Sequence, residues 1–229
     1  LPPPADDDAL WHGVLQTIEE MGAGVGIHKV RASENLENDA RALQNIATIA
    51  VPDLAQTQRA ASIVGETLVF GTSNGNDKLI DTIIGMRRIT SAEEIEEMKA
   101  TAIITDAAHR AAMAATRPGV HERDVAAAFA HVVNQAGLTL AYPTICTVRG
   151  EVLHNFHYEN PLKDGQLMLL DGGAEAATGY ATDVTRTWPV SGSFVGRQRA
   201  AYDAVLEAQL QAIDLVRPNT RYRDVHTCA

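Results

Sequence analysis

Between positions 154 and 183 lie four side chains whose types and spacing could do chemistry: His154, His157, Asp171 and Asp183. The two aspartates sit in Gln166 to Val190, which reads QLMLLDGGAEAATGYATDVTRTWPV. An apolar run, Leu167 to Leu170, returns through alternating residues from Thr182 to Trp188, and this pattern predicts two strands of a β-hairpin. Ala176, Ala177, Thr178 and Gly179 form the turn of small residues between them. Antiparallel pairing then puts Asp171 and Asp183, twelve positions apart, on one sheet face, opposed or one diagonal step apart according to the turn. Like charges placed so are unfavourable unless one takes a proton or a cation lies between them. Hard divalent cations take such oxygen ligands, and a carboxylate shared by two ions can hold a dinuclear site. The competing reading is that Asp171 begins a Gly-Gly turn and Asp183 is solvated. His154 and His157, three apart in a polar loop or strand end, could stabilise an oxyanion or move a proton at the mouth of such a site, or either could simply be exposed.

The elements that must carry these residues are legible after position 90. Ser91 followed by Glu94 matches a capping box, and Ile95, Met98, Ala102, Thr105 and His109 form a helical stripe ending at Arg117-Pro118-Gly119. A second helix is predicted from Glu122 to Ala136, with Val125, Phe129, Val132 and Val133 inward and Gly137 as its stop. Residues 138–148 look β-like, and Asn160-Pro161 and Asp164-Gly165 mark turns into the hairpin. Beyond it, Ala201, Val205, Leu206, Leu210, Ile213 and Val216 stripe a further helix within 196–216.

That last helix also ends in Arg-Pro. RPGVHERDV at 117–125 and RPNTRYRDV at 217–225 share five of nine residues at an offset of one hundred, each following an Ala-rich helix and opening another. The pattern predicts a duplicated unit of helix, helix and sheet, whose second copy is cut at Ala229 before its sheet.

Residues before 86 are less decided. The opening LPPPADDDALW reads as a loop delivering Trp11, VLQTIEEMG as a short helix closed by Gly22, and SENLENDARALQNIATIA as a longer helix capped at Ser33 or Asn35 and stopped before Pro52. SIVGETLVFG looks like β structure, and His12 and His28 have no partners at ligand spacing. A boundary falls between Gly85 and Thr90.

The totals bound the function classes. A net charge of −10, with no long run of one sign, disfavours nucleic acid and anionic membrane as partners. No stretch approaches the ~18 apolar residues of a membrane span. Two cysteines, Cys146 and Cys228, lack metal-ligand spacing and fit a reducing compartment, although one pair could still bridge; a cytoplasmic location is expected.

RRITSAEEIEEMKATAIITDAAHRAA, TRPGVHERDVAAAF, VLHN, DGQLMLLDGGAE and GYATDVTRTWPVSGSF together resemble the first half of the catalytic domain in the aminopeptidase P and prolidase group of metallopeptidases. DDDALW is similar to the end of the N-terminal domain that precedes it there. The resemblance implies an α/β pita-bread half of antiparallel sheet and helices over 86–229, and over 1–85 the C-terminal part of a smaller α/β domain. It implies that Asp171 and Asp183 are metal ligands, Asp183 bridging two divalent ions, Mn²⁺ first with Co²⁺ or Zn²⁺ as alternatives. It makes His154, rather than His157, the histidine that contacts substrate and stabilises the tetrahedral intermediate. The implied reaction is hydrolysis before proline in Xaa-Pro peptides by a metal-bridging hydroxide. Relatives of this kind are often oligomeric, which leaves a homo-oligomer open.

The family's remaining ligands, one His and two Glu, come from the second half and have no counterpart here. The expectation is therefore that this chain alone is a truncated copy and a poor catalyst. Two other classes compete: a non-catalytic pita-bread interaction module, and a creatinase-like amidinohydrolase, which Asp171 together with Asp183 disfavours.

Overall fold

The computed structural model describes residues 8–43, 45–70 and 76–229, and the chain divides into two compact units, Leu1–Ile89 and Thr90–Ala229. Among the described residues no helix is long and apolar enough to cross a membrane.

The first unit is helical. It contains α1 (Asp8–His12), α2 (Ile18–Gly24), a 3-10 turn at Ser33–Asn35, α3 (Leu36–Arg41), α4 (Leu54–Val64) and α5 (Asp77–Arg87). Thr17 and Glu20 cap α2 reciprocally, and the chain leaves it near Gly22, whose carbonyl accepts from Ile27 N at 2.8 Å. Three expectations change here. Among its described residues the long helix over SENLENDARALQNIATIA is only the 3-10 turn and α3: Leu43 is exposed rather than packed, and Asn45 takes a left-handed φ of +60°. SIVGETLVFG, whose last residue lies outside the described residues, is over 62–70 the end of α4 followed by non-strand residues, since Asp53 caps Gln56 N at 2.9 Å and starts a helix instead. Trp11 lies on α1 and is exposed, while most of the loop expected before it falls outside the described residues.

The second unit is built on α6 (Ala92–Ala115) and α7 (Glu122–Gln135), packed against short antiparallel strands: β1 (Thr139–Leu140), β2 (Ile145–Thr147), β3 (Leu167–Gly172), β4 (Ala174–Glu175) and β5 (Val184–Pro189). The helices α8 (Gln198–Leu215) and α9 (Tyr222–Cys228) follow. Ser91 Oγ accepts from Glu94 N at 3.2 Å and the Glu94 carboxylate accepts in turn from Ser91 N at 2.6 Å, which fixes the start of α6. Its buried stripe is Thr101, Thr105, Ala108, His109 and Ala112; Ile95 and Ala102, expected inward, are exposed one step round the helix. Val125, Phe129 and Val133 bury the facing side of α7, while Val132 is half-buried. The sheet order is β2-β3-β5, all antiparallel, and β1 pairs with β4.

Alternation along β3 decides what each face carries. Met168, Leu170 and Gly172 point into the core with Cys146, Ala108, Ala112 and Phe129, and each large side chain buried there contributes roughly 1.5–3 kcal/mol. Leu167, Leu169 and Asp171 point the other way. Gly172 is required by packing: a Cβ there would stand 2.9 Å from the Phe129 ring. The apolar stripe predicted on α8 exists, but Val205, Leu210, Ile213 and Val216 are exposed.

Candidate active site

The register Asp171↔Thr185 and Gly172↔Val184 continues to place Asp183 against Gly173, so the two aspartates share a sheet face one diagonal step apart. The competing turn at Gly172-Gly173 does not form, because Gly172 is the last residue of β3 and the chain proceeds into β4. The end of the hairpin is locked from below: Thr105 Oγ1 on α6 lies 2.6 Å from Thr182 Oγ1, and both hydroxyls accept from Ala174 N, at 3.2 and 3.1 Å. Asp183 follows Thr182 directly, so α6 fixes its backbone. The tip beyond is a tight turn in which Gly179, at φ +82°, donates to Ala176 O at 2.8 Å.

Tyr142, which sequence patterning did not single out, completes this arrangement. Its hydroxyl lies 2.7 Å from Asp171 Oδ1 and 2.7 Å from Asp183 Oδ1. Burial, reinforced by the hydrogen bonds to Asp171 and Asp183, pushes the phenol well above its ordinary range, so it keeps its proton. A phenol has one proton to give, and it cannot satisfy two ionised carboxylates at once. The remaining oxygens of the pair are the donors that hard divalent ions prefer. As a metal site it is partial: among the described residues no group of three or more His, Cys, Asp or Glu side chains converges. No spacing rule points to a tyrosine; the usable signal was an aromatic followed by Pro143 just before a β-run that must pair with β3.

The histidines divide. His154 lies in the loop between β2 and β3, exposed, with its ring stacked on Phe156 at 6.2 Å between centroids. His157 is exposed in the same loop, its backbone N donating to Asn155 Oδ1 at 3.0 Å. Neither hydrogen-bonds either aspartate. His109 belongs to the core: Nε2 lies 3.4 Å from Gly172 O and the ring meets Phe129 edge-on at 5.2 Å. Burial lowers its pKa against the opposing effect of the Gly172 carbonyl, while the Arg186 charge lowers it further. Val184 and Arg186, which border a cleft beside His109, lie on the sheet face opposite Asp183.

The family model for metallopeptidase family M24 matches residues 96–229, the segment that carries all of these groups. An Xaa-Pro aminopeptidase of Escherichia coli K12 is 39% identical over 145 residues, covering 61% of this chain and 32% of that protein. One from Haemophilus influenzae is 31% identical over 217 residues, covering 90% of this chain and 50% of that protein. An Escherichia coli aminopeptidase P variant solved in complex with substrate superposes with a TM-score of 0.80 at 28% identity, over 98% of this chain and 54% of that one. This chain thus spans half or less of the length of these two relatives and about half of that structure.

Proposed function

The chain belongs to metallopeptidase family M24, and from that premise we propose that it contributes half of a peptidase site acting on Xaa-Pro peptides, with the bond before proline as the one cut. Its pita-bread fold of helices and antiparallel sheet is that of the aminopeptidase P group. The observation that carries the reading is the convergence of Asp171 and Asp183 on one hydroxyl at the end of a strand buried on its other face.

In this reading Asp171 and Asp183 would be ligands to divalent ions, with Mn²⁺ proposed before Co²⁺ or Zn²⁺ because the donors here are all oxygen. When bound, the ions supply an activated water and polarise the scissile carbonyl. Tyr142 holds the two carboxylates in register and leaves their other oxygens free to bind. His154, on its exposed loop, donates to the oxygen that gains charge as the carbonyl carbon becomes tetrahedral. Two aspartates leave each ion short of donors, so the remaining ligands are proposed to come from residues beyond those described, and the 229-residue chain assayed alone should hydrolyse poorly.

The test is metal content and turnover on an Xaa-Pro peptide in the full metal-loaded protein, with Asp171→Ala and Asp183→Ala beside it. The expectation is loss of bound metal and of hydrolysis in both variants, with recovery of the parent after chelation and Mn²⁺ return. Metal content unchanged in both variants would remove the site. Metal bound without hydrolysis would favour a non-catalytic role for the fold.

A further inference from the structure

Glu122, the first residue of α7, has a side chain with 0% exposure that the chemistry above does not use. Burying a carboxylate is costly unless its oxygens are fully bonded, and no cation pairs with it among the described residues. Donors surround it instead. Thr147 Oγ1 and Val148 N each donate to Oε1 at 2.8 Å, Asn160 N donates to Oε2 at 3.1 Å, and Asn160 Nδ2 reaches both oxygens at 3.1 and 3.0 Å. Four donor groups thus meet an acceptor with about four lone-pair positions. The start of α7 adds favourable dipole potential.

These donors come from two places, the exit of β2 and the return at Asn160, which are the two ends of the segment that carries His154. Backbone bonds reinforce the closure, from Glu122 N to Asn160 O at 3.1 Å and from Arg123 N to Tyr158 O at 3.3 Å. The network also runs inward. Because the Thr147 hydroxyl spends its proton on Glu122, its lone pairs accept from Arg149 N at 2.9 Å and from Asn155 Nδ2 at 3.1 Å. Asn155 is the immediate neighbour of His154.

We infer that Glu122 is the positioning residue for His154, acting through Thr147, Asn155 and Asn160 to close and orient the 148–160 loop. This rests on the substrate-facing role proposed above for His154. Glutamine at position 122 has nearly the same shape but turns one acceptor into a donor. It must face Asn160 or the Val148 side with like polarity, and it releases the Thr147 hydroxyl to point elsewhere.

The experiment is hydrogen exchange and steady-state kinetics on the metal-loaded full protein, comparing the parent with Glu122→Gln. Exchange across 149–157 should rise about tenfold while peptides from β3 and α6 change less than about twofold, as for a locally opened segment. On an Xaa-Pro peptide kcat should fall about tenfold or more with little change in KM, as when a group acting in the transition state is misplaced. Adding Asn160→Asp to Glu122→Gln, which exchanges donor and acceptor across the contact, should recover part of both effects. An unchanged loop, a rise shared equally by β3 and α6, or a loss carried by KM alone would overturn the inference. If Glu122→Gln does not fold, Thr147→Val is judged by the same comparison. A parent protein without Xaa-Pro hydrolysis would sink the functional reading and leave the exchange comparison to decide this one.

Discussion

Gly119 and Asn219 stand one hundred positions apart and hold the same left-handed backbone, at φ +93° and +71°. Each follows an Arg-Pro pair at the end of a long helix, and the next residue donates back across the turn, Val120 N to Arg117 O at 3.4 Å and Thr220 N to Arg217 O at 3.0 Å. The repeated sequence is therefore a repeated turn. A Cβ at Gly119 would meet nothing within 4 Å, so substitution there reports backbone strain alone. Gly119→Ala should lower stability by about 1–2 kcal/mol, and Asn219→Gly should raise it by up to ~1 kcal/mol. Urea midpoints of the two variants check both signs.

Tyr142→Phe keeps the ring and removes only the hydroxyl shared by Asp171 and Asp183. Loss of an outer partner of this kind typically costs about 10–100-fold in metal affinity. Competition against a chelator measures it directly. Unaltered Mn²⁺ retention in this variant, alongside loss in Asp171→Ala, would show that the hydroxyl does not organise the pair.

Gly173→Ala tests how tightly the hairpin end is built. The added Cβ would lie 1.7 Å from the Thr182 carbonyl oxygen, next to Asp183, where only backbone can give way. Overpacking of this degree should cost about 3 kcal/mol or more. Chemical unfolding gives the loss in stability, and metal titration of the folded fraction shows whether Asp183 has shifted.

His109 predicts a pH dependence with a definite sign. Burial lowers its pKa from an ordinary value near 6.5, opposed by the Gly172 carbonyl and the Asp106 charge and assisted by Arg186. Just below 6.5 the unfolded chain binds a proton that the folded chain refuses, so this stability is complete above that value and is lost as pH falls toward the lower folded one. Urea midpoints should drop between about pH 7 and pH 5, and His109→Gln should flatten that drop. An equal slope in both proteins would assign the effect elsewhere.

The hairpin was legible because alternation and turn chemistry are local, and the diagonal placement of Asp171 and Asp183 follows from their spacing once the register is known. The α6 cap and the core face of α7 were legible for the same reason. Tyr142 and Glu122 were not. Each acts through partners 20 or more residues away, Asp171 and Asp183 in one case and Thr147, Val148 and Asn160 in the other, and no periodicity encodes such pairings. In the first unit α4 was missed although Asp53 and Gln56 stood at capping distance, because LAQTQRAASIV lacks a clean apolar stripe. Its one buried residue is Thr57, held by hydrogen bonds to Val51 rather than by packing.

The 148–160 loop is fastened at its posts and open at its crown. Glu151, Val152, Leu153, His154 and Phe156 are exposed, and the anchoring bonds fall mostly on Thr147, Val148, Tyr158 and Asn160. Such a span is a natural cassette. The Val152 and Leu153 side chains stand in solvent away from those anchors, which makes 152–153 the place where an engineer could exchange side chains while leaving the way the loop is hung alone.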